Sequence, residues 1–537
     1  MGNLLTANET GANTVTTWNG AVSHGTVNDP LVELFFKSVR NIPCTDYRCI
    51  TVKESKKAKK SKKTVKSTSG GKNLESYFDA AWSHDPLRTL KFVFYLRDCR
   101  GGKGERKLFR SLVLHMRNRG LSQHILANLQ HIPTFGSWKD VAICCFGTPL
   151  EVPAIQLIAN QLRVDKTAEH PSLCAKYSPS EGGAVDKAHK AASKIAEALN
   201  VSLTRYRKQY LSPLRSKLNV VEKQMCAKEW NEIEYGKVTS IAGMRYKKAF
   251  QRHDEQRYTE YLGKVQSGEK KMNVSVLMPH QIISPYLNNG KRDETTEAQW
   301  TAFLKDRREK WPAGMDILPL IDVSGSMFPT NIDPKPGEVA VALGLLVSLL
   351  NSSAQYRGKF ITFDSEPALL SIQGSSLCDQ VTYIKGTPWG GSTNIQKAFD
   401  LILGIATIYN IPQAEMPRIL LILSDMQFDQ ANSGNNTNWS EIESKYTAAG
   451  YQRPIIIFWN LNGTTNDFPV PSANVPNCML LSGYNDAILY SLLEGTLPNP
   501  VDIVHKALDK ERYDEIRLAE EHVVTSSPIT STVEVMV

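Results

Sequence analysis

The sequence predicts a two-part α + α/β chain, an α-helical solenoid or ring followed by a doubly wound α/β domain, and three observations carry that prediction. Beyond residue 74 apolar side chains recur at helical spacing, as in Leu87, Leu90, Val93 and Phe94, then Leu108, Phe109, Leu112, Val113 and Met116. Such stripes make one-sided helices that must pack on neighbours. Beyond residue 315 short apolar runs alternate with helical patterns, which marks parallel strands joined by crossover helices. Charge divides at the same place: +7 over residues 1–72, +14 over 73–310 and −12 over 311–537. A basic first part either faces a polyanion or neutralises the acidic second part across an interface.

With 537 residues the chain exceeds the usual size of one core, and 41% hydrophobic with 22% charged residues is ordinary globular material. The longest apolar stretch, 339–350, is too short to span a bilayer, and no secretory signal is visible. Nine cysteines without Cys-x-x-Cys spacing argue for reduced thiols and against a zinc site. The expected setting is therefore inside a cell, in cytoplasm or nucleus, or within a virion.

Residues 1–28 are expected as a flexible tail. The start, Met1-Gly2-Asn3-Leu4-Leu5-Thr6, fits the myristoylation pattern with Gly2 as acceptor. A single acyl chain binds membranes weakly and needs a second signal. The lysine-rich loop 53–72 supplies one, and reads equally as a nuclear-import signal, an RNA-contacting arm or a solvated linker. The helical part is expected over 29–300, opening with a helix at Asp29-Pro30, where proline suits the first turn. Arg97-Asp98-Cys99-Arg100-Gly101-Gly102-Lys103-Gly104-Glu105-Arg106 is a glycine-rich turn between helices that lacks the full phosphate-loop pattern. Repeated helix pairs imply a solenoid, although no strict period is readable.

The segments Trp82-Ser83-His84-Asp85-Pro86, Arg97 to Arg106 and Phe135-Gly136-Ser137-Trp138-Lys139-Asp140 resemble the helical module of the TROVE family (telomerase, Ro and vault proteins). With Ile241-Ala242-Gly243-Met244-Arg245-Tyr246 the chain is also similar to a TROVE-like domain-of-unknown-function family of eukaryotes and their large viruses. The resemblance implies a ring of HEAT-like repeats followed by a von Willebrand factor A domain, and RNA, structured or single-stranded, as ligand. Independently of it, Arg205, Tyr206, Arg207 and Lys208, and Arg245, Tyr246, Lys247 and Lys248, interleave cations with aromatics. That mixture meets phosphates and stacks on unpaired bases, or else is a solvated helix face with tyrosines half in the core.

The α/β domain is expected over 301–500, with a C-terminal helix and tail over 501–537. Its first strand leads into Asp322-Val323-Ser324-Gly325-Ser326, three oxygen-bearing residues at alternate positions. Hard oxygen donors suit Mg²⁺ or Mn²⁺, whereas an isolated loop of this kind is commonly a turn with side-chain hydrogen bonds. Further oxygens come from Gly391-Ser392-Thr393 and from Ser424-Asp425 at the end of another apolar run. Together these resemble the metal-ion-dependent adhesion site of von Willebrand A domains. The resemblance implies that Ser324, Ser326 and Thr393 touch the metal, that Asp322 and Asp425 act through water, and that a partner's Asp or Glu completes the shell. Met426 stands where that family usually has glycine. No catalytic triad, His-Glu-x-x-His or Asp-x-Asp motif is present. The expectation is a non-enzymatic RNA-binding module with a metal-dependent protein-ligand site, the alternative being a metal-dependent protein adaptor without RNA.

Overall fold

The computed structural model of the chain describes residues 14–17, 21–45, 72–218, 220–311, 316–363, 366–388, 393–429, 438–492 and 499–520. Two short antiparallel strands, β1 (Thr14–Thr16) and β2 (Val22–His24), come first, and α1 (Pro30–Lys37) follows. Asp29 caps α1, its carboxylate accepting from the Leu31 and Val32 amides, and Pro30 fills the first helical position. The helical half then runs through α2 (Leu74–His84), α3 (Pro86–Arg97), α4 (Arg106–Asn118), α5 (Trp138–Cys145) and α6 (Glu151–Thr167). A buried ion triad ties these helices: Asp140 of α5 accepts from Arg97 at 2.8 Å and from Arg110 at 2.5 Å. Beyond α7 (Ala191–Ala198) the chain makes a π-helical turn, Tyr206–Leu211. Next, α8 (Ser240–His253) and α9 (Glu255–Gln266) enclose a separate small core of Tyr235, Phe250, Tyr258, Leu262 and Val265.

Two helices, α10 (Pro279–Asn289) and α11 (Glu294–Lys310), lead into the α/β half. The boundary expected at residue 300 falls inside α11. The polar residues just before it form a pair of helix ends: Gly290 (φ +63°) closes α10, and the Asp293 side chain accepts from the Thr296 amide to open α11.

The sheet is built from β3 (Ile317–Ile321), β4 (Lys359–Thr362), β5 (Leu369–Ser371), β6 (Ile419–Ser424), β7 (Ile455–Asn460) and β8 (Cys478–Ser482). Its order is β5-β4-β3-β6-β7-β8, parallel except for β5, which runs antiparallel to β4. β3, β6 and β8 are buried throughout, which is why they read as continuous apolar runs. The helices of this half are α12 (Pro336–Leu350), α13 (Leu377–Gly386), α14 (Ile395–Ile408), α15 (Asn438–Ala448), α16 (Ala487–Leu492) and α17 (Pro500–Leu508). β5, at three residues, is too short to carry a legible alternation in the sequence.

Two further expectations change. The expected N-terminal tail contains the β1–β2 hairpin, and His24 bridges in antiparallel fashion to Phe468 with hydrogen bonds of 3.1 and 2.6 Å. Of the C-terminal helix and tail expected over 501–537, the helix is α17, and its Ile503, Val504, Ala507 and Leu508 are buried in the fold. Residues 509–519 then cross the helical half. There Arg512 pairs with Asp98 at 2.5 Å, and Tyr513 stacks on Phe135 with centroids 5.3 Å apart.

The glycine-rich turn between α3 and α4 is where the halves join. A Cβ on Gly102 would collide with the Tyr95 carbonyl, so glycine is required there. Fully buried Lys103 donates to the Phe35 carbonyl, to the Ser38 carbonyl at 3.1 Å and to the Ser482 hydroxyl at 2.6 Å. Asn485 donates to the Gly102 carbonyl at 2.7 Å. Farther along, Glu297 of α11 accepts from the Leu377 and Cys378 amides at 2.9 and 3.0 Å, capping α13. One hydrophobic cluster accordingly runs through both halves.

Candidate cation site at the rim of the sheet

β3 and β6 are neighbours, yet the chain leaves them toward opposite edges of the sheet, and such a reversal opens a crevice at the carboxyl ends of the strands. The segment after β3 folds back on itself: Asp322 Oδ1 accepts from the Ser324 amide at 2.9 Å, and the Ser324 and Ser326 hydroxyls lie 3.1 Å apart. The segment after β6 closes on the first. Ser424 donates to Asp322 Oδ2 at 2.5 Å, and the Asp425 carboxylate accepts from the Ser326 hydroxyl and from the Gln427 amide, the latter at 3.2 Å.

Thr393 arrives just before α14. Its hydroxyl donates to the Gln427 carbonyl at 2.7 Å and meets Asp429 Oδ1 at 3.1 Å, while its amide donates to Asp429 Oδ2 at 2.9 Å. The Asp429 amide returns a bond to the Thr393 carbonyl at 3.1 Å. Asp322, Ser324, Ser326 and Asp425 are thus one hydrogen-bonded cluster, and Thr393 joins it through the 425–429 segment. Asp429 itself carries a charge felt at Asp322. Residues 390–392, expected beside Thr393, lie outside the described residues.

Asp322 and Asp425 are 0% and 1% exposed, and among the described residues no Lys, Arg or His makes a salt bridge to either. Burial raises the pKa of both. At Asp425 the Asp322 charge adds to it, and the group is pushed up to about 7 against hydrogen bonds from Ser326 and Gln427. Two such groups call for positive charge, and the donor set here is oxygen only. It fits a hard divalent cation. Among the described residues no three His, Cys, Asp or Glu side chains group as a metal site, so hydroxyls would have to supply part of any shell.

Met426 follows Asp425 with φ +68° and is buried. That left-handed backbone is what makes glycine natural at this position, and here the methionine side chain is held in the core instead. Beside the cluster opens a cleft of about 930 Å³, lined by Ser326, Asp425, Gln427, Asp467, Val15 and Thr16 among others.

The family model described as "Domain of unknown function (DUF2828)" matches residues 17–145 and 154–311, more than half of the chain. The chain belongs to the DUF2828 family. In this DUF2828 protein the remainder, residues 316–533, matches a second model, "Domain of unknown function (DUF7788)". The chain is 29% identical over 539 aligned residues to uncharacterized protein L728 of Acanthamoeba polyphaga mimivirus, covering 93% of this chain and 88% of the relative. Among solved structures, the Ro (RSR) protein of Deinococcus radiodurans aligns with 14% identity and a TM-score of 0.37, over 80% of this chain and 88% of that one.

The cation–aromatic stretches of this DUF2828 protein sit on different cores, and their aromatics are not where base stacking needs them. Tyr206 is buried with its hydroxyl on the Pro179 carbonyl at 3.0 Å, whereas Arg205, Arg207 and Lys208 are exposed. Tyr246 is half-buried with its hydroxyl 3.3 Å from Glu222, and Lys247 is paired to Asp293 at 2.5 Å, while Arg245 and Lys248 are exposed. Gly2 and all of the lysine-rich loop except Lys72 lie outside the described residues, and Lys72 sits 3.5 Å from Glu33. No helix among the described residues is long and apolar enough to cross a membrane.

Gln427 and Asp467 take part in the site without standing out in the sequence. Asp429 shares a loop with Asp425 and was within reach of sequence reasoning. Asp467 comes from another strand's exit and carries no local signal.

Proposed function

We propose that the protein is a non-enzymatic binding protein whose α/β half holds Mg²⁺ or Mn²⁺ and presents it to a carboxylate of a protein partner. In this reading the α/β half is a von Willebrand factor A-like domain and the helical half a TROVE-like array of HEAT-like repeats. The observation that carries it is the buried pair Asp322 and Asp425, sealed among hydroxyls at the carboxyl edge of the sheet without a cationic side chain of their own among the described residues. Ser324, Ser326 and Thr393 would hold the cation, with Asp322 and Asp425 orienting its water ligands. Bound there, the cation supplies a Lewis-acidic anchor for an incoming carboxylate oxygen. Asp429 keeps Thr393 in place through its amide and hydroxyl.

Calorimetric titration of Mg²⁺ or Mn²⁺ into the full chain tests this. Binding is expected for the wild type and not for Asp322→Asn or Ser324→Ala; equal binding by all three would overturn the assignment.

RNA binding by the helical half is a second reading, and one surface favours it. Arg207 and Lys208 are exposed on the π-helical turn, and a groove of about 510 Å³ lined by Lys166, Gln209, Pro213, Leu214 and Lys217 involves the same turn. With the tyrosines turned inward this surface offers charge without stacking platforms, so it suits a phosphate backbone better than unpaired bases. Affinity for a short RNA duplex should fall with salt, and Arg207→Glu with Lys208→Glu should reduce both affinity and salt slope, the slope by about one for each phosphate no longer engaged. Binding insensitive to salt and to these changes would leave the adaptor without RNA. Membrane association enters only through acylation of Gly2, which intact mass from a eukaryotic host decides.

A further inference from the structure

We propose that the N-terminal hairpin is a regulatory strap on the cation cleft: occupancy of the site by a cation and docking of β1 are coupled through the segment Asp425–Asp429. The inference rests on the cation reading above.

The first strand is poorly anchored for an element that walls a binding cleft. β1 is exposed throughout, yet Val15, Thr16 and Thr17 line the same cleft as Ser326 and Asp425. β2 is the better-held strand: His24 pairs with Phe468, and Ser23 donates to the Phe468 carbonyl at 2.8 Å. Below the hairpin is a small cavity bordered by Thr17, His24, Phe428 and Trp439, so the packing that would lock it down is incomplete.

Two hydrogen-bonded routes connect this strap to the site. Thr17 donates to the Phe428 carbonyl at 3.2 Å, and Phe428 lies between Gln427 and Asp429, the two residues that hold Thr393. Along the other route Asp467 accepts from Gln427 Nε2 at 2.7 Å, while its neighbour Phe468 takes the Ser23 hydroxyl proton and Ser23 Oγ lies 3.4 Å from the Asp467 carboxylate, so strap and site segment meet at this residue pair. Five consecutive residues therefore carry Asp425, both holds on Thr393 and both ties to the hairpin. Without a cation, the charges of Asp322 and Asp467 both bear on Asp425, and Lys37, the lysine nearest Asp467, offsets only the latter. A cation that neutralises the pair lets the segment settle, and the hairpin docks more firmly on it. Occupancy and docking favour each other by the same factor, because binding linkage is reciprocal.

Amide hydrogen exchange of the full chain, followed in the peptides covering residues 14–17 and 21–24 with and without Mn²⁺, reads the coupling. Slower exchange is expected with Mn²⁺ in the wild type and no change in Asp322→Asn. Conversely, Thr17→Val combined with Ser23→Ala cuts the ties without touching the proposed ligands, and should weaken Mn²⁺ binding by about fivefold or more. If Mn²⁺ binds the wild type and unchanged or faster exchange results, or the double variant binds Mn²⁺ as the wild type does, the strap is overturned while the cation site stands. If the wild type binds no Mn²⁺, both fall together.

Discussion

Replacing Lys103 by methionine tests whether the glycine-rich turn is the joint between the two halves. The lysine is completely buried and spends its three donors on the Phe35 carbonyl, the Ser38 carbonyl and the Ser482 hydroxyl, with its ammonium 4.6 Å from the Phe35 ring centroid. Methionine keeps most of the volume and loses every donor. Two of the three acceptors are partly provided for, since Ser482 donates to the Phe35 carbonyl at 2.8 Å. The Ser38 carbonyl loses this bond outright, at about 1–3 kcal/mol, and the cation–ring attraction is worth about 1 kcal/mol more. Against this stands relief from burying an ammonium, whose pKa desolvation holds well below the usual lysine range. The net expectation is a loss of about 2 kcal/mol for Lys103→Met, and of about 4 kcal/mol for Lys103→Ala, which adds a cavity. Urea unfolding followed by tryptophan fluorescence and by circular dichroism reads both. A Lys103→Met midpoint equal to or above wild type would refute the reasoning and leave the joint to apolar packing alone.

Asp140→Asn strips the charge that balances buried Arg97 and Arg110 and should cost about 3–5 kcal/mol, measured by the same unfolding experiment; a loss under about 1 kcal/mol would show that the guanidiniums find other partners. Burial opposes ionisation of Asp140 but the two arginines prevail and hold its pKa below 3.8, so the stability it confers is present above that pH and lost below it. His280 loses stability in the same direction of pH but for the opposite reason, since the fold keeps it uncharged. Burial, helped by Arg40, pushes it down to about 3, so the unfolded chain takes up a proton near 6.5 while the native state does not. Stability then falls with pH below 6.5, by about 2 kcal/mol between pH 7 and 5. His280→Gln should lose that much less over the interval, and an unchanged pH dependence would contradict the assignment.

What the sequence made legible follows from how locally each element is specified. β3 and β6 are buried on both faces, so their apolar runs announce them; α4 shows a helical stripe, whereas α3 is buried on every side from Thr89 to Arg97 and leaves Leu87 of its expected stripe exposed. β1, β2 and β5 are three residues long, and what fixes them is a partner strand or residue elsewhere, Phe468 in the case of His24. The joint was hidden for a related reason. In the sequence, Gly102 and Lys103 are only part of a turn that lacks a phosphate-loop pattern; the acceptors that explain Lys103 lie 65 to 379 positions away.

In the cation–aromatic stretches the tyrosines turn toward the core, Tyr206 buried and Tyr246 half-buried, which is the arrangement of a solvated helix face with its aromatics packed inward. Tyr206 and Tyr210, four residues apart, face inward together and leave Arg207 and Lys208 outside. The cation cluster was more legible because its geometry is mostly local. Asp322, Ser324 and Ser326 are spaced so that the backbone turn itself brings their oxygens together. Strand register does the rest: Ile321 pairs with Leu423, which sets Asp322 beside Ser424 and, one residue on, Asp425. Thr393 could be guessed only from order along the chain, because no strand carries it, and its position depends on Asp429 and Gln427. A site whose first four residues are fixed by one turn and one register can tolerate Met426 at φ +68°, a conformation of the order of 1–2 kcal/mol uphill for a residue with a side chain. Burial of that side chain offsets the strain, so glycine at 426 would relax the backbone yet loosen the segment that binds Thr393 to the cluster.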